Sequence, residues 1–255
     1  MSFKKYAIYV ESSKLSVESV KNVIRVAREV GEVEITPFKG HDRYEFKVLR
    51  EKYPFILLDK EKCWDKFSYL QSTIGCFHSH FALWEKCVKS NEKIMVVEHD
   101  TIFLQKYVDF DFEGVITFGK PLWNILRNKD IRYLIGKNNN VKLLQWDCDC
   151  SGSPTYEHTR HLSCKPNGCN SWNLQGAHGY TITPKAAEKL IEKSYEFGIV
   201  PADLHLNRYN IEIANTYPYM SFQDSKFSLC TKHSDSNFIN KLNSDWVEGE
   251  EAWKV

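Results

Sequence analysis

The sequence predicts an α/β fold, a mostly parallel sheet flanked by helices, in one domain spanning residues 1–255. Three observations predict it. A strand, a helix and a second strand follow one another within residues 6–38. A short apolar segment at 94–97 has the composition of a strand buried in the middle of a parallel sheet. A strand followed by a helix recurs from residue 179, and such alternation is typical of parallel sheets.

The N-terminal unit begins with a strand at Tyr6–Val10. The helix that follows is predicted from apolar residues at helical spacing, with Ser16 as its N-cap and Gly31 as its stop. These apolar residues are Val17, Val20, Val23, Ile24, Ala27 and Val30. A second strand at 33–38 completes a β-α-β unit, which usually belongs to a parallel sheet.

The central region combines a buried helix with two strands. Apolar residues recur every three or four positions from Ile74 to Val88, which predicts a helix with a buried stripe. The strand at 94–97 follows and leads directly into Glu98-His99-Asp100. A further strand is expected at 115–118.

In the second half, a strand is predicted at 179–183. Its last residue, Thr183, can cap a helix that begins with Pro184 and ends at Gly198. A short helix is expected to begin near Leu204, followed by a strand at 211–215.

Two segments have no clear period. Residues 137–175 are predicted to form an irregular, Cys-rich insertion, and residues 229–255 a polar tail. The insertion holds Cys148, Cys150, Cys164 and Cys169. Four thiolates are enough for a structural Zn²⁺ that would staple the loop, with free thiols or disulfides as the alternatives.

Composition limits the possible partners. The 34 Lys and Arg residues nearly cancel the 33 Asp and Glu residues, so a net charge of +1 supplies no field for gathering polyanions. No apolar run approaches the length of a membrane span, and the N-terminus lacks the apolar core of a signal peptide. We therefore expect a cytoplasmic protein.

The acidic triplet carries the clearest chemistry. Glu98 and Asp100 are two residues apart at the end of a buried strand, where their charges need compensation. Mg²⁺ or Mn²⁺ compensates such carboxylates and bridges them to substrate phosphates. The alternative interpretation is that both side chains cap a helix or form ion pairs.

The run from Gly75 to Trp84 contains Gly-Cys-x-x-Ser-His-x-x-x-Trp and precedes an acidic triplet. This pattern closely resembles glycosyltransferase family 25. The segment Gly176-Ala-His-Gly-Tyr180 is similar to the family's Gly-x-x-Gly-Tyr strand, and Pro201-Ala-Asp203 is similar to its Pro-x-Asp. The resemblance covers about residues 70–120 and 174–228.

The resemblance implies a GT-A-like, Rossmann-type fold and an inverting transfer of a hexose, galactose or glucose, from a nucleotide diphosphate sugar such as a UDP-hexose. It also implies Mn²⁺ or Mg²⁺ as cofactor and a glycan or other hydroxylated acceptor. The family's triplet is usually Glu-Asp-Asp, whereas this chain has His99 in the middle. Glu98, His99 and Asp100 are therefore the predicted metal ligands, with the His99 nitrogen favouring Mn²⁺ over Mg²⁺. His233 in the tail is a candidate further ligand.

The remaining roles follow from the same resemblance. Asp203 is the candidate catalytic base that removes the acceptor proton, with a helix cap as its alternative role. Donor or substrate binding is predicted for five residues, namely Ser79, His80, Glu98, Gly176 and Tyr180. A lone His such as His80 on a buried stripe also fits a purely structural role.

Two further hypotheses stay open. The acceptor could be a hydroxylated nucleic-acid base, although the near-neutral charge argues against nucleic acid. Alternatively, the chain could be a zinc-stapled module that binds carbohydrate or nucleic acid without turnover. Only the enzyme requires metal at Glu98 and Asp100.

Overall fold

A computed structural model describes residues 3–32, 34–42, 45–53, 71–120, 132–146, 177–199, 201–207, 210–224 and 226. The strands of the main sheet are β1 (Lys4–Tyr9), β2 (Ile35–Lys39), β3 (Ile94–Glu98), β5 (Val115–Thr117), β6 (Arg132–Asn138), β7 (Val141–Trp146), β8 (Gly179–Ile182) and β9 (Ile213–Tyr217). A separate pair consists of β4 (Thr101–Phe103) and β10 (Ser221–Gln223). The helices are α1 (Lys14–Glu29), α2 (Phe46–Lys52), α3 (Gln71–Ser90), α4 (Pro184–Phe197) and α5 (Ala202–His205).

The described strands of the main sheet are ordered β2-β1-β3-β8-β5-β9-β7-β6. Strands β2, β1, β3, β5, β9 and β6 run in one direction, and β8 and β7 run in the other. The predicted α/β class with a mostly parallel sheet is therefore confirmed. The GT-A assignment within that class stays a prediction.

Strand β3 is buried on both faces of the sheet, which explains its continuous apolar sequence. Side chains alternate across a strand. Ile94 and Val96 pack in the cluster that includes the α3 and α4 side chains, whereas Met95 and Val97 pack in the cluster that includes those of α1. The same alternation places Glu98 on the α3 side of the sheet.

The first helix begins one turn earlier than predicted. Its N-cap is Ser13, whose hydroxyl accepts the Ser16 N–H at 3.2 Å. Ser16 is buried, and its Oγ accepts the Val10 N–H at 2.9 Å. The prediction of Ser16 as N-cap was wrong because either serine precedes the apolar run at a suitable distance. The predicted stop is confirmed, since Gly31 has a φ of 82°, which favours glycine.

The irregular segment predicted from residue 137 does not begin where expected. Residues 132–138 and 141–146 pair as an antiparallel hairpin at one edge of the sheet. Asn139 occupies the turn with a φ of 54°, a conformation that Asn tolerates well. Val141 and Leu143 are buried, whereas Lys142 between them is exposed. The expectation of an irregular segment was wrong for 137–146, because the Asn-rich turn of a hairpin has the same composition as a loop. Residues 147–175 lie outside the described chain.

Among the described helices, none combines the length and apolar character needed to cross a membrane.

Candidate active site

The carboxyl ends of the parallel strands meet at one edge of the sheet, where open α/β sheets bind ligands. Strand β3 ends there at Glu98. Strand β5 also ends at this edge, before Phe118 and Gly119. Because β8 is antiparallel to both, it begins at the same edge, directly after His178. Residues from distant parts of the chain therefore converge around the acidic triplet.

Helix α3 supplies the first contacts to Glu98. Cys76, His80 and Trp84 are four residues apart and therefore lie on one face of this helix. His80 Nε2 lies 3.2 Å from Glu98 Oε1, and Cys76 Sγ lies 3.9 Å from the same oxygen. His80 is 1% exposed, whereas the Glu98 side chain is 21% exposed. Glu98 thus contacts buried His80 of α3 and is itself partly exposed at the edge of the sheet.

Electrostatics favour the ionised form of Glu98. Burial raises the pKa of this carboxyl group, but burial is outweighed by the hydrogen bond with His80 together with the positive charge that the imidazoles of His80, His99 and His178 carry when they are protonated. The Glu98 pKa therefore lies below its usual value. A negative charge at the end of β3 is consistent with a site that binds a cation.

Two further buried side chains continue the contacts of His80. Its Nδ1 lies 2.9 Å from the Tyr180 hydroxyl, and the Trp84 indole N–H donates to the same hydroxyl at 3.1 Å. The His80 and Tyr180 rings stack with centroids 5.8 Å apart. Tyr180 and Trp84 are completely buried. The predicted role of Tyr180 in binding donor or substrate therefore lacks direct access from solvent.

Asp100 is held by the short second sheet. The Gln223 side-chain amide donates to Asp100 Oδ2 at 2.7 Å, and the Asp224 N–H donates to the Asp100 carbonyl at 2.8 Å. Asp100 is 2% exposed. Strand β10, which the sequence analysis did not identify, thus fixes the last residue of the triplet.

Ser79 organises the loop after β2. Its hydroxyl donates to the Gly75 carbonyl at 2.6 Å and accepts the His41 N–H at 2.8 Å. A Cβ on Gly40 would lie 2.7 Å from Ser79 Oγ, so this position requires glycine. Ser79 is 1% exposed, and its contacts support a role in holding the loop.

His178 is a candidate functional residue that sequence reasoning passed over. It is 1% exposed, and neither ring nitrogen has a hydrogen-bond partner among the described residues. Burial lowers its pKa to about 4, although the Glu98 charge opposes this shift, so the imidazole is neutral at pH 7. A neutral imidazole with two unused polar atoms is suited to contacting a ligand. The sequence feature that could have indicated His178 is its place between the two glycines of the Gly-x-x-Gly-Tyr segment.

The approach of His178 to Gly119 gives a first prediction. A Cβ added to Gly119 would lie 2.2 Å from His178 Nε2, so Gly119→Ala must displace the imidazole. We expect this variant to lose about 1–3 kcal/mol of unfolding free energy in urea titrations and to lose activity. Gly136→Ala is the control, because its Cβ would meet no atom closer than 3.6 Å. Equal stability of the two variants would contradict the packing described here.

Comparison with known proteins identifies the family. The profile of glycosyltransferase family 25, described as an LPS biosynthesis protein family, matches residues 42–206, more than half of the 255-residue chain. The chain belongs to glycosyltransferase family 25. It is therefore a glycosyltransferase, and its activity requires a sugar donor and an acceptor.

The other comparisons add little to what is known of this family 25 glycosyltransferase. Among solved structures, mouse xyloside xylosyltransferase 1 in its apo form is similar at 11% identity, with a TM-score of 0.35 and 81% of each chain covered. A likeness at this level assigns neither fold nor activity. The comparison with curated proteins found no match.

The described part of this glycosyltransferase brings together only some of the predicted site residues. Polar contacts join Glu98 to His80 and His80 to Tyr180. Asp100 lies in the turn that directly follows Glu98. Asp203 lies in the first turn of α5. The same short helix holds His205, which stacks on Trp84 with ring centroids 5.6 Å apart, so Asp203 lies on the α3 side of the sheet. Other predicted residues lie outside the described chain, namely Gly176, His233, Cys148, Cys150, Cys164 and Cys169.

The residues of the triplet fit a divalent cation by chemistry. Carboxylate oxygens and an imidazole nitrogen are ligands that Mn²⁺ accepts. Buried His99 Nε2 has no hydrogen-bond partner within the described residues, which leaves it available to a ligand. Glu98 and Asp100 each have one carboxylate oxygen held by a neighbouring side chain. In the described residues, the set of three potential ligand atoms within 4.8 Å of one another comprises Cys76, His80 and Glu98, without His99 or Asp100.

Proposed function

We propose that this glycosyltransferase moves a hexose from a nucleotide diphosphate sugar to an acceptor hydroxyl, with inversion at the anomeric carbon. The donor diphosphate binds at the sheet edge formed by Glu98, His99 and Asp100, together with Mn²⁺ or Mg²⁺. When bound, the cation neutralises charge on the diphosphate as it leaves. A UDP-hexose is the expected donor, and a glycan or other hydroxylated molecule is the expected acceptor.

One observation carries this proposal. Two acidic side chains stand at the carboxyl end of a central strand, and a neighbouring side chain holds each of them. His80 contacts Glu98, and Gln223 donates to Asp100. Carboxylates that neighbouring side chains orient in this way favour a bound cation, because a negative charge at a buried edge is costly without compensation.

The surrounding residues have distinct roles in the proposed reaction. Inversion by a single displacement needs one group that removes the acceptor proton, and Asp203 is our candidate. His178 is neutral and offers one donor and one acceptor beside the donor site, which suits it to bind sugar hydroxyls or phosphate oxygens. Ser79 holds the loop that begins at Gly40, at the same edge of the sheet.

A thermal-shift screen tests the proposed donor site. Nucleoside diphosphates stabilise the folded state by mass action if they bind it. At 100 times its dissociation constant, the correct nucleotide should raise Tm by about 5–10 °C when Mn²⁺ is present. The shift should disappear with a chelator, because Glu98 and Asp100 would hold the cation that the diphosphate needs for binding.

The screen also separates the alternatives. A shift with one base and not with the others would identify the donor nucleotide. No shift with any nucleotide, or an equal shift with and without cation, would contradict the proposed site.

A further inference from the structure

We propose that Tyr180 and Trp84 are positioning residues that set the protonation pattern of His80, so that its Nε2–H donates to Glu98 and orients that carboxylate. The four side chains form one continuous series of contacts. Trp84 contacts Tyr180 at 3.1 Å, Tyr180 contacts His80 at 2.9 Å, and His80 contacts Glu98 at 3.2 Å. We call this series the Trp84–Glu98 relay. The inference rests on the proposed function in that Glu98 belongs to the donor site.

The direction of the relay follows from its buried end. An indole N–H can only donate, so the Tyr180 oxygen must accept from Trp84. The hydrogen of the Tyr180 hydroxyl then points to the nearest acceptor, which is His80 Nδ1. A neutral imidazole that accepts at Nδ1 carries its hydrogen on Nε2.

The other end of the relay requires the same pattern. An ionised carboxylate only accepts hydrogen bonds, so the nitrogen that faces Glu98 must donate. The opposite tautomer would set a bare His80 Nε2 against the carboxylate. It would also leave the hydroxyl hydrogen of Tyr180 without the acceptor that Nδ1 provides, in a site where unmet polar groups are costly. Both ends therefore assign the hydrogen to Nε2.

Burial makes the relay rigid. Trp84 and Tyr180 are completely buried and His80 is 1% exposed, whereas Glu98 is 21% exposed. Trp84 is held between aromatic neighbours, with Phe77 at 6.0 Å edge to face and His205 stacked at 5.6 Å between ring centroids. The relay thus passes from the core to the site and ends at the residue that reaches the surface.

The relay also decides what the Cys76, His80 and Glu98 cluster can bind. Their potential ligand atoms lie within 4.8 Å of one another, as a cation site requires. However, the relay places a hydrogen on the His80 nitrogen that faces the cluster, so this nitrogen has no lone pair to offer a metal. His80 therefore supports Glu98 and is not itself a ligand.

The first test reads the tautomer directly. Imidazole ¹⁵N NMR of the full chain, with His80 assigned by comparison with His80→Gln, should show a protonated Nε2 and a bare Nδ1. The Tyr180→Phe variant removes the hydroxyl donor, so the Nδ1 resonance should shift and the Nδ1–H tautomer should gain population. Tyr195→Phe is the matched control, because this tyrosine lies on the exposed side of α4. A wild-type spectrum with a hydrogen on Nδ1, whether in the neutral Nδ1–H tautomer or in an imidazolium, would overturn the proposal.

The second test reads the effect on the site. Removing a partner that orients a ligating side chain typically weakens metal affinity about 10–100-fold. We expect Mn²⁺ titrations of Tyr180→Phe to show a loss of this size, with Tyr195→Phe unchanged. His80→Gln retains an N–H donor near the Nε2 position and should bind Mn²⁺ more tightly than His80→Leu, whose side chain cannot donate. Wild-type Mn²⁺ affinity in Tyr180→Phe, or equal affinity in the two His80 variants, would overturn the positioning role.

The two readouts separate this inference from the proposed function. If the wild-type chain bound no Mn²⁺ but showed the Nε2–H tautomer, the donor-site proposal and the positioning role would fail, and only the relay's hydrogen-bond pattern would stand. If Mn²⁺ bound normally and the tautomer were Nδ1–H, the relay would fail and the donor-site proposal would stand.

Discussion

Asp100→Asn should lower the rate of sugar transfer about 1,000-fold while leaving the fold intact. The asparagine has the shape of the aspartate and can still accept from Gln223, so the packing at this 2% exposed position is retained. It lacks the negative charge that would hold the proposed cation, and a bound cation typically contributes several kcal/mol to catalysis. The measurement is kcat/KM for nucleotide-sugar turnover, with thermal unfolding as the check on folding.

A matched substitution isolates the effect of position. Asp111→Asn removes the same charge from an exposed aspartate that is not part of the site, and we expect its kcat/KM to equal that of the wild type. Full activity in Asp100→Asn would show that Asp100 does not hold the cation.

Asp203→Asn has the second largest expected effect. If Asp203 removes the acceptor proton, its loss should lower kcat about 10²–10⁴-fold without weakening the binding of the nucleotide donor. The predicted split, with kcat reduced and donor affinity retained, distinguishes a base from a donor-binding residue. Transfer kinetics and nucleotide titration on the same variant provide both values.

Glu196→Gln is the control for Asp203. Glu196 is an exposed acidic residue near the end of α4 whose ion pair with Lys193 lies at the surface, where such pairs contribute little. Its replacement should leave kcat unchanged. An Asp203→Asn enzyme with at least a tenth of the wild-type kcat would assign the base to another residue.

Local patterns in the sequence predicted the elements that build the site. The helix expected from Ile74 to Val88 lies within α3, and the strand expected at 94–97 is β3. Both were predictable because burial of one helix stripe, or of both strand faces, leaves a period in the apolar residues. Since β3 is buried on both faces, its last residue Glu98 necessarily points to one of two helical layers.

Contacts between distant segments left no such period. His80 and Tyr180 are 100 residues apart, and Gln223 is 123 residues from Asp100. Each contact depends on the position of β8 in the main sheet or on the pairing of β10 with β4, and sheet topology decides both. The antiparallel direction of β8 puts Tyr180 in register with Val96, on the face of the sheet that packs against α3. A sequence pattern cannot reveal this register because it arises from tertiary pairing.

The family resemblance singled out individual residues, but it did not determine their contacts. Tyr180 was expected to bind donor or substrate, but its side chain is completely buried and its hydroxyl contacts His80 and Trp84. His178 was part of a matching segment and received no role, although its buried nitrogens have no partner among the described residues. In both cases burial and hydrogen bonding, which a motif does not encode, supply the physical basis for a role.

Release of nucleoside diphosphate from a panel of nucleotide sugars tests the central claim most directly. We expect the wild-type chain to turn over one donor with Mn²⁺ present and to stop when a chelator is added, and we expect Asp100→Asn to release no more product than the chelated enzyme. Undiminished release in the presence of chelator, or from Asp100→Asn, would contradict a cation-dependent donor site at Glu98-His99-Asp100.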